Sequence, residues 1–312
     1  MKNIFEKLVS YRRYTYALSG IIVAVSIAAV VRFGLLPGID FTGGTLMEIG
    51  CTADTTDCTL PTANTVNDAL AQAHLTAASI QKTDAGTLVI RYARSTEAQN
   101  EQVMSALRAV APGVVQKRVD FIGASVSQQL RANALKAIVI SLVVITLYIA
   151  WAFRKVSFFV SSWGYGVSAI VALIHDITIV MGVFALLGHY KGVEVGVSFV
   201  AALLTVLGYS VNDTIVVYDR VRENILRLGK KKTFEEIVNQ SIFETLARSV
   251  NTSMTVVVVL IAILLFGGAS LFYFALALLI GVVAGTYSSI FVATALLVTF
   301  YNYRHRARHK EA

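Results

Sequence analysis

Charge is what this sequence is shortest of. Only 15% of its 312 residues are Asp, Glu, Lys or Arg, against 56% that are hydrophobic, whereas soluble chains carry about 25% charged residues. With a mean hydropathy of +0.67, that balance excludes an ordinary soluble protein and reads as a polytopic membrane protein. Proline is nearly absent, and Pro37, Pro61 and Pro112 all fall in one polar stretch, the first sign of a separate domain. No Gly-rich phosphate loop of the Walker type occurs, so no ATP site is legible and energy has to come from a gradient or a partner. The Gly-x-Ser-x-Gly elbow of serine hydrolases is missing too. His175 has no His or Cys one helical turn away, and the spacing of Cys51 and Cys58, the only two cysteines, is no zinc motif. An enzyme is therefore the least expected class, and neither a metal nor an organic cofactor is expected.

What charge there is gathers at helix ends. The net charge of +8 could suggest nucleic acid, but the basic residues cluster at Lys2 to Arg13, at Arg154-Lys155, at Arg220 to Lys232 and at Arg304 to Lys310. That pattern writes membrane topology by the positive-inside rule, not a nucleic-acid groove, so no nucleic-acid partner is expected.

In chain order, residues 1–36 read as a cytoplasmic N-terminus and a first transmembrane helix. The apolar run is long for a signal peptide, and Arg32-Phe33-Gly34 is no small-residue cleavage site. Residues 37–131 form an α+β domain on the outer side. Its pattern reads as a strand over Ile39 to Gly50 with Gly43-Gly44 as an interruption or bulge, a helix over Thr65 to His74, and a hairpin of Ala78–Lys82 with Thr87–Tyr92. A helix from Ser95 to Ala111, with Ser95 as its cap and Val103, Leu107 and Val110 on one face, and a strand over Val114 to Ile122 complete it. That βαββαβ order predicts a ferredoxin-like sandwich. Residues 132–303 carry five further spans, near Ala134–Phe153, Trp163–Leu187, Val195–Tyr218, Asn251–Phe266 and Leu271–Phe300, and 304–312 are a basic cytoplasmic tail. Thr233 and Glu236 are spaced as a capping box, and Gly281 and Gly285 permit close helix contact.

The sharpest candidate is Asp213, between Asn212 and Thr214, seven residues before Arg220. At about 1.5 Å per residue it lies roughly 10 Å inside the hydrocarbon. A carboxylate at the bilayer centre costs about 2.5–3.5 kcal/mol, and somewhat less at this depth. Proton coupling explains such an acid better than helix glue does. Arg248, at the start of the fifth span, reads either as its counter-ion or as an ordinary cytoplasmic anchor. His175-Asp176, midway through the third span, reads either as a relay or as an interior hydrogen-bonded pair. Asp219, Arg220, Arg222 and Glu223 read as a solvated or interfacial charge cluster where the fourth helix leaves the membrane. Cys51 and Cys58 lie in the outer domain, where a disulfide closing residues 52–57 is favoured over two free thiols.

Gly208-Tyr209-Ser210-Val211-Asn212-Asp213-Thr214-Ile215-Val216-Val217-Tyr218-Asp219-Arg220-Val221-Arg222-Glu223-Asn224 resembles the signature of the SecF family of bacterial protein-export membrane subunits, within the resistance-nodulation-division superfamily. Gly38-Ile39-Asp40-Phe41-Thr42-Gly43-Gly44, Leu173-Ile174-His175-Asp176, Arg248 to Ser253, Phe266-Gly267-Gly268 and Gly281 to Ser289 resemble further family motifs in the same order. Residues 51–118 carry no family motif, and the Cys51/Cys58 loop is outside the pattern. The resemblance implies a multi-pass subunit of the bacterial inner membrane with both termini cytoplasmic. It would work with SecD beside the SecYEG channel on exported unfolded polypeptides, with protons as the coupling ion. It implies Asp213 as the proton-carrying acid, Arg248 as its partner, and Asp40, Phe41, Gly43 and Gly44 at the base of a periplasmic domain. The competing readings are a proton-coupled exporter of small molecules or lipids, and a non-transporting scaffold.

Overall fold

The computed structural model describes residues 8–51, 58–82, 86–92, 96–154, 162–229 and 231–311. After a 3-10 turn at Leu8–Tyr11, helix α1 spans Arg12–Phe33. The chain divides into two compact units, one of Leu36–Leu135 with Glu194–Val197, the other holding the rest.

The first unit is the α+β domain. Strand β1 (Gly44–Cys51) is followed by α2 (Ala63–Gln72), β2 (Ala77–Lys82), β3 (Leu88–Tyr92), α3 (Glu97–Val110) and β4 (Val114–Ile122). The sheet order β2-β3-β1-β4, antiparallel throughout, is the ferredoxin-like arrangement. Alternation along the strands turns Met47, Ile49, Leu88 and Ile90 to one face, where Val66 and Leu70 of α2 and Val103, Met104 and Leu107 of α3 close the core. Val110 is exposed and not part of that face, its place being taken by Met104. The cap of α3 is Thr96, in a capping box with Gln99; the expected cap Ser95 lies outside the described residues, as do Asp84 and Ala85 of the hairpin turn. The expected first strand is shorter at its start. Ile39–Thr42 is a single helical turn, and Gly43 and Gly44 take φ of 72° and 111° to lead from it into β1. Gly43-Gly44 thus interrupts the expected strand, and a bulge lies between Glu48 and Ile49, where the β1–β4 register skips Lys117.

The second unit is helical: α4 (Ala124–Ala152, starting within the α+β unit), α5 (Ser162–Lys191), α6 (Val197–Leu228), α7 (Phe234–Phe266) and α8 (Ala269–Ser288), then a π-helical turn over Ser289–Ala293 and α9 (Thr294–Glu311). Among the described residues six helical segments are long and apolar enough to cross a membrane: α1, α4, α5, α6, α7 and the continuous Leu271–Tyr303. The helices outrun the expected spans. The lead-in before Ala134 merges into α4, the fourth span continues to Leu228, and the capping box at Thr233 and Glu236 opens one helix that includes the fifth span.

Small residues let these helices meet. A side chain at Gly182 of α5 would collide with Ser26 of α1, and one at Gly281 of α8 with Val206 of α6. A β-carbon at Gly285 would lie 2.8 Å from Ser210 Cβ. The glycine pair thus brings α8 against α6, the helix of Asp213.

Candidate functional site

Three helices meet around two carboxylates. Asp213 on α6 is 7% exposed, and Asp176 on α5 is fully buried. Because α8 approaches so closely at Gly281 and Gly285, Ser288 and Ser289 reach both acids. The Ser289 hydroxyl donates to Asp213 Oδ2. The Ser288 hydroxyl donates to Asp176 Oδ2 at 2.8 Å, and Ser210 of α6 donates to the same oxygen at 2.6 Å. His175 Nδ1 lies 2.9 Å from Asp176 Oδ1. Thr214, buried beside Asp213, returns its hydroxyl to the Ser210 carbonyl at 3.1 Å. The π turn begins at Ser289 itself, and Tyr218 ties its far end, donating to the Ala293 carbonyl at 3.2 Å while bonded to Ser168 at 2.7 Å. Single π turns recur where a helix must re-aim side chains at a functional site.

The serine contact gives Asp213 two workable protonation states. With the acid ionised, the Ser289 hydroxyl donates to it. Once protonated, Asp213 can donate to Ser289 Oγ while the serine proton turns to the Thr286 carbonyl, 3.0 Å away. Neither state strands a donor. An unsatisfied buried polar group would cost about 1–3 kcal/mol, so this hydroxyl removes a penalty that would otherwise hold the acid in one form.

The other expected partners lie apart. Asn212 is exposed. Arg248 is exposed too and is in no ion pair among the described residues; its carbonyl accepts the Thr252 hydroxyl at 2.8 Å. The reach of α7 into the polar centre goes through Ser253, bonded to Thr286 at 2.6 Å and to the Tyr209 hydroxyl at 3.0 Å. At the end of α6 the charge cluster is more knitted than a solvated face. Arg220 pairs with Glu223 at 2.5 Å and Glu244 of α7 at 2.6 Å, and buried Asn224 donates to Glu244 at 2.7 Å.

Ser288 and Ser289 were legible only as part of a motif, not as the acids' partners. The signal was there: Gly281, Gly285, Ser288 and Ser289 continue one stripe of small residues along a helix.

Within the α+β unit, the Asp40 motif makes a second arrangement. Asp40 Oδ2 accepts the backbone N–H of Val197 at 2.7 Å, the first residue of α6. It thereby supplies from outside the helix one of the orphan-donor contacts every helix start needs, and places negative charge at the positive end of the dipole. A side chain at Gly196 would collide with that carboxylate. Residues 194–197 are clasped further: Gly38 N–H donates to the Val195 carbonyl at 2.9 Å, Val195 N–H to the Leu36 carbonyl at 2.8 Å, and Arg91 pairs with Glu194. Val195, expected to open the fourth span, is thus paired with Pro37. Burial pushes the Glu194 carboxyl up from its ordinary range; Arg91 opposes the rise and the Asp40 carboxylate adds to it. Phe41 lies half-buried in the helical turn, whose Gly43 sits against Ser127. Cys51 and Cys58 are joined in a disulfide; the loop it closes lies outside the described residues.

Six apolar spans, a ferredoxin-like domain inserted after the first, and buried acids between helices define a multi-pass membrane protein. Residues 102–303 match the family model for the C-terminal part of the protein export membrane proteins SecD and SecF. Protein translocase subunit SecF of Thermobaculum terrenum is 42% identical over 310 residues, covering 95% of this chain and 94% of the relative. SecF of Anaerolinea thermophila is 37% identical, covering 96% and 94%. The crystal structure of SecDF, a translocon-associated membrane protein from Thermus thermophilus, superposes with a TM-score of 0.79 at 32% identity. It covers 94% of this chain, which spans only 38% of that longer one. The chain belongs to the SecF family of protein translocase subunits.

Proposed function

We propose that this chain is a proton-motive-force-dependent auxiliary subunit of the Sec protein translocase of the bacterial inner membrane. It assists export of unfolded secretory polypeptides together with SecD, beside the SecYEG channel, with both termini cytoplasmic and the α+β domain periplasmic. The observation that carries the reading is Asp213: a buried acid on a membrane-spanning helix, held by a neutral hydroxyl that can serve it ionised or protonated. Moving one proton through about 100 mV releases about 2.3 kcal/mol, enough to bias a two-state element by tens of fold.

The clasp at Asp40 supports the rest of the reading. Helix α6 carries Asp213 sixteen residues after the amide that Asp40 caps, or roughly 24 Å along its axis. The residue that Asp40 clasps and the acid therefore share one continuous helix. Arg248 enters the proposal only as an exposed cation outside the ion pairs of the described residues.

The test is export into vesicles holding the SecYEG channel, SecD and this chain, with and without an imposed proton gradient. Asp213→Asn is expected to insert and assemble normally and to lose the gradient-dependent part of export. Full gradient-dependent stimulation in that variant would leave only a scaffold role.

A further inference from the structure

We propose that His175 and Asp176 form a second proton-binding site, joined to Asp213 through Ser210, Ser288 and Ser289; this rests on the reading of Asp213 as a proton carrier. Asp176 is better supplied with donors than Asp213. Its Oδ2 receives the hydroxyls of Ser210 and Ser288, and its Oδ1 faces His175 Nδ1. A pair that only glued helices together would close both ends of the imidazole. Here the other nitrogen, Nε2, is buried without a partner among the described residues, on a side chain only 6% exposed. With Nδ1–H given to Asp176, Nε2 bears the free lone pair and is the place on the imidazole where a proton can land.

The step balances in one proton. A proton arriving at Nε2 forms the Nε2–H bond, the Nδ1–H bond breaks, and that proton bonds Asp176 Oδ1. The imidazole ends neutral in its other tautomer and the carboxyl ends neutral. Both serine hydroxyls keep their bonds to Oδ2 throughout. At Nε2 an unpaired acceptor is exchanged for an unpaired donor, so neither state is ahead by a whole hydrogen bond.

The two acids are wired together at short range. Ser288 and Ser289 are consecutive, one on each acid, at the junction where α8 gives way to the π turn. Ser210 reaches Asp176 from one turn before Asp213, and its carbonyl holds Thr214. The titratable group packed against the pair is Tyr287 from α8; Asp213 from α6 is reached through the neighbouring serine Ser289. The Tyr287 ring lies 6.2 Å from that of His175, and its hydroxyl is bonded to Ser19 of α1 at 3.1 Å. A gain or loss of a proton at either acid thus acts on adjacent residues at the junction of α8 and the π turn.

Infrared titration of the full chain in lipid discs tests this by reading protonated-carboxyl bands directly. Asp213→Asn and Asp176→Asn are each expected to remove a different pH-dependent band. His175→Asn keeps an N–H for Asp176 but lacks Nε2; it should retain the Asp176 band and slow its deuterium exchange on the order of tenfold or more. Ser288→Ala, a milder change should Asp176→Asn fail to fold, is expected to move the Asp176 band. No band lost in Asp176→Asn, unaltered exchange in His175→Asn, or an unmoved band in Ser288→Ala would each overturn the second site. No band lost in Asp213→Asn, with the Asp176 band still lost in its own variant, would instead overturn the reading of Asp213.

Discussion

Asp213 in the helical unit and Glu194 in the α+β unit are both acids withdrawn from water, and their partners differ in kind. Glu194 faces a guanidinium, Arg91, which is itself bonded to Ser79 at 3.0 Å and Gln81 at 3.2 Å. Asp213 faces a serine hydroxyl and no cation among the described residues. A fixed cation opposes protonation of the carboxylate, although at Glu194 burial outweighs it, whereas a hydroxyl can donate to an ionised acid or accept from a protonated one. The first arrangement suits a joint that must hold, the second a group that must change. In the proposed function the clasp would hold and the acid in the helix bundle would change its charge.

The largest effect on stability is expected where that comparison is broken at its fixed end. Arg91→Ala leaves Glu194 without its cation and frees Ser79 and Gln81, and should destabilise the α+β unit by about 2–3 kcal/mol. Amide hydrogen exchange along β2 and β3 would report it. Adding Glu194→Gln should recover part of the loss, because no uncompensated charge remains; a double variant as weak as Arg91→Ala would mean the pair contributes only through packing. Next comes Asp40→Ala, which removes the cap on α6. Loss of such a cap costs about 1 kcal/mol, read as roughly fivefold faster exchange of the first α6 amides. Gradient-dependent export should fall with it while gradient-independent export stays. Wild-type gradient-dependent export would sever the clasp from the coupling.

Ser289→Ala is expected to cost a similar stability, about 1 kcal/mol, and to change the pH profile of gradient-driven export because the hydroxyl no longer serves both forms of Asp213. An unchanged profile would remove Ser289 from the site. The smallest effect belongs to Glu194. Its pKa is raised above the ordinary 4.5, so the folded clasp binds that proton more tightly than the unfolded chain. The resulting stabilisation is full below the ordinary value and is lost as pH rises through the raised one. Protection of the clasp amides should therefore decline slightly on going from acid toward neutral pH, and Glu194→Gln should flatten the trend.

Much of this arrangement was legible in residue order, and the gaps have physical causes. Alternating strands and amphipathic helices gave the βαββαβ order because each face must be buried against a core, and Thr233 with Glu236 gave its capping box because that contact is local. Span ends were less legible: nothing local stops a helix at Tyr218, and α6 continues to Leu228 through ion pairs with α7. Val195 looked like the start of a span because it is apolar, but its backbone partners, Pro37 and Leu36, lie far away in sequence. Asp213 announced itself by its cost in hydrocarbon. Ser289 did not, since a serine in an apolar helix can satisfy itself on its own backbone. Only the packing of Gly281 and Gly285 against α6 brings it to the acid. The expected pairing of Arg248 with Asp213 is not among the ion pairs of the described residues.

The central claim is that Asp213 carries protons, and proton flux reads this without export intervening. Vesicles holding this chain with SecD are given a pH gradient, and its collapse is followed for the wild type and for Asp213→Asn. The account predicts that the variant, inserted to the same level, collapses the gradient no faster than protein-free vesicles. A wild-type rate of collapse in Asp213→Asn would contradict it.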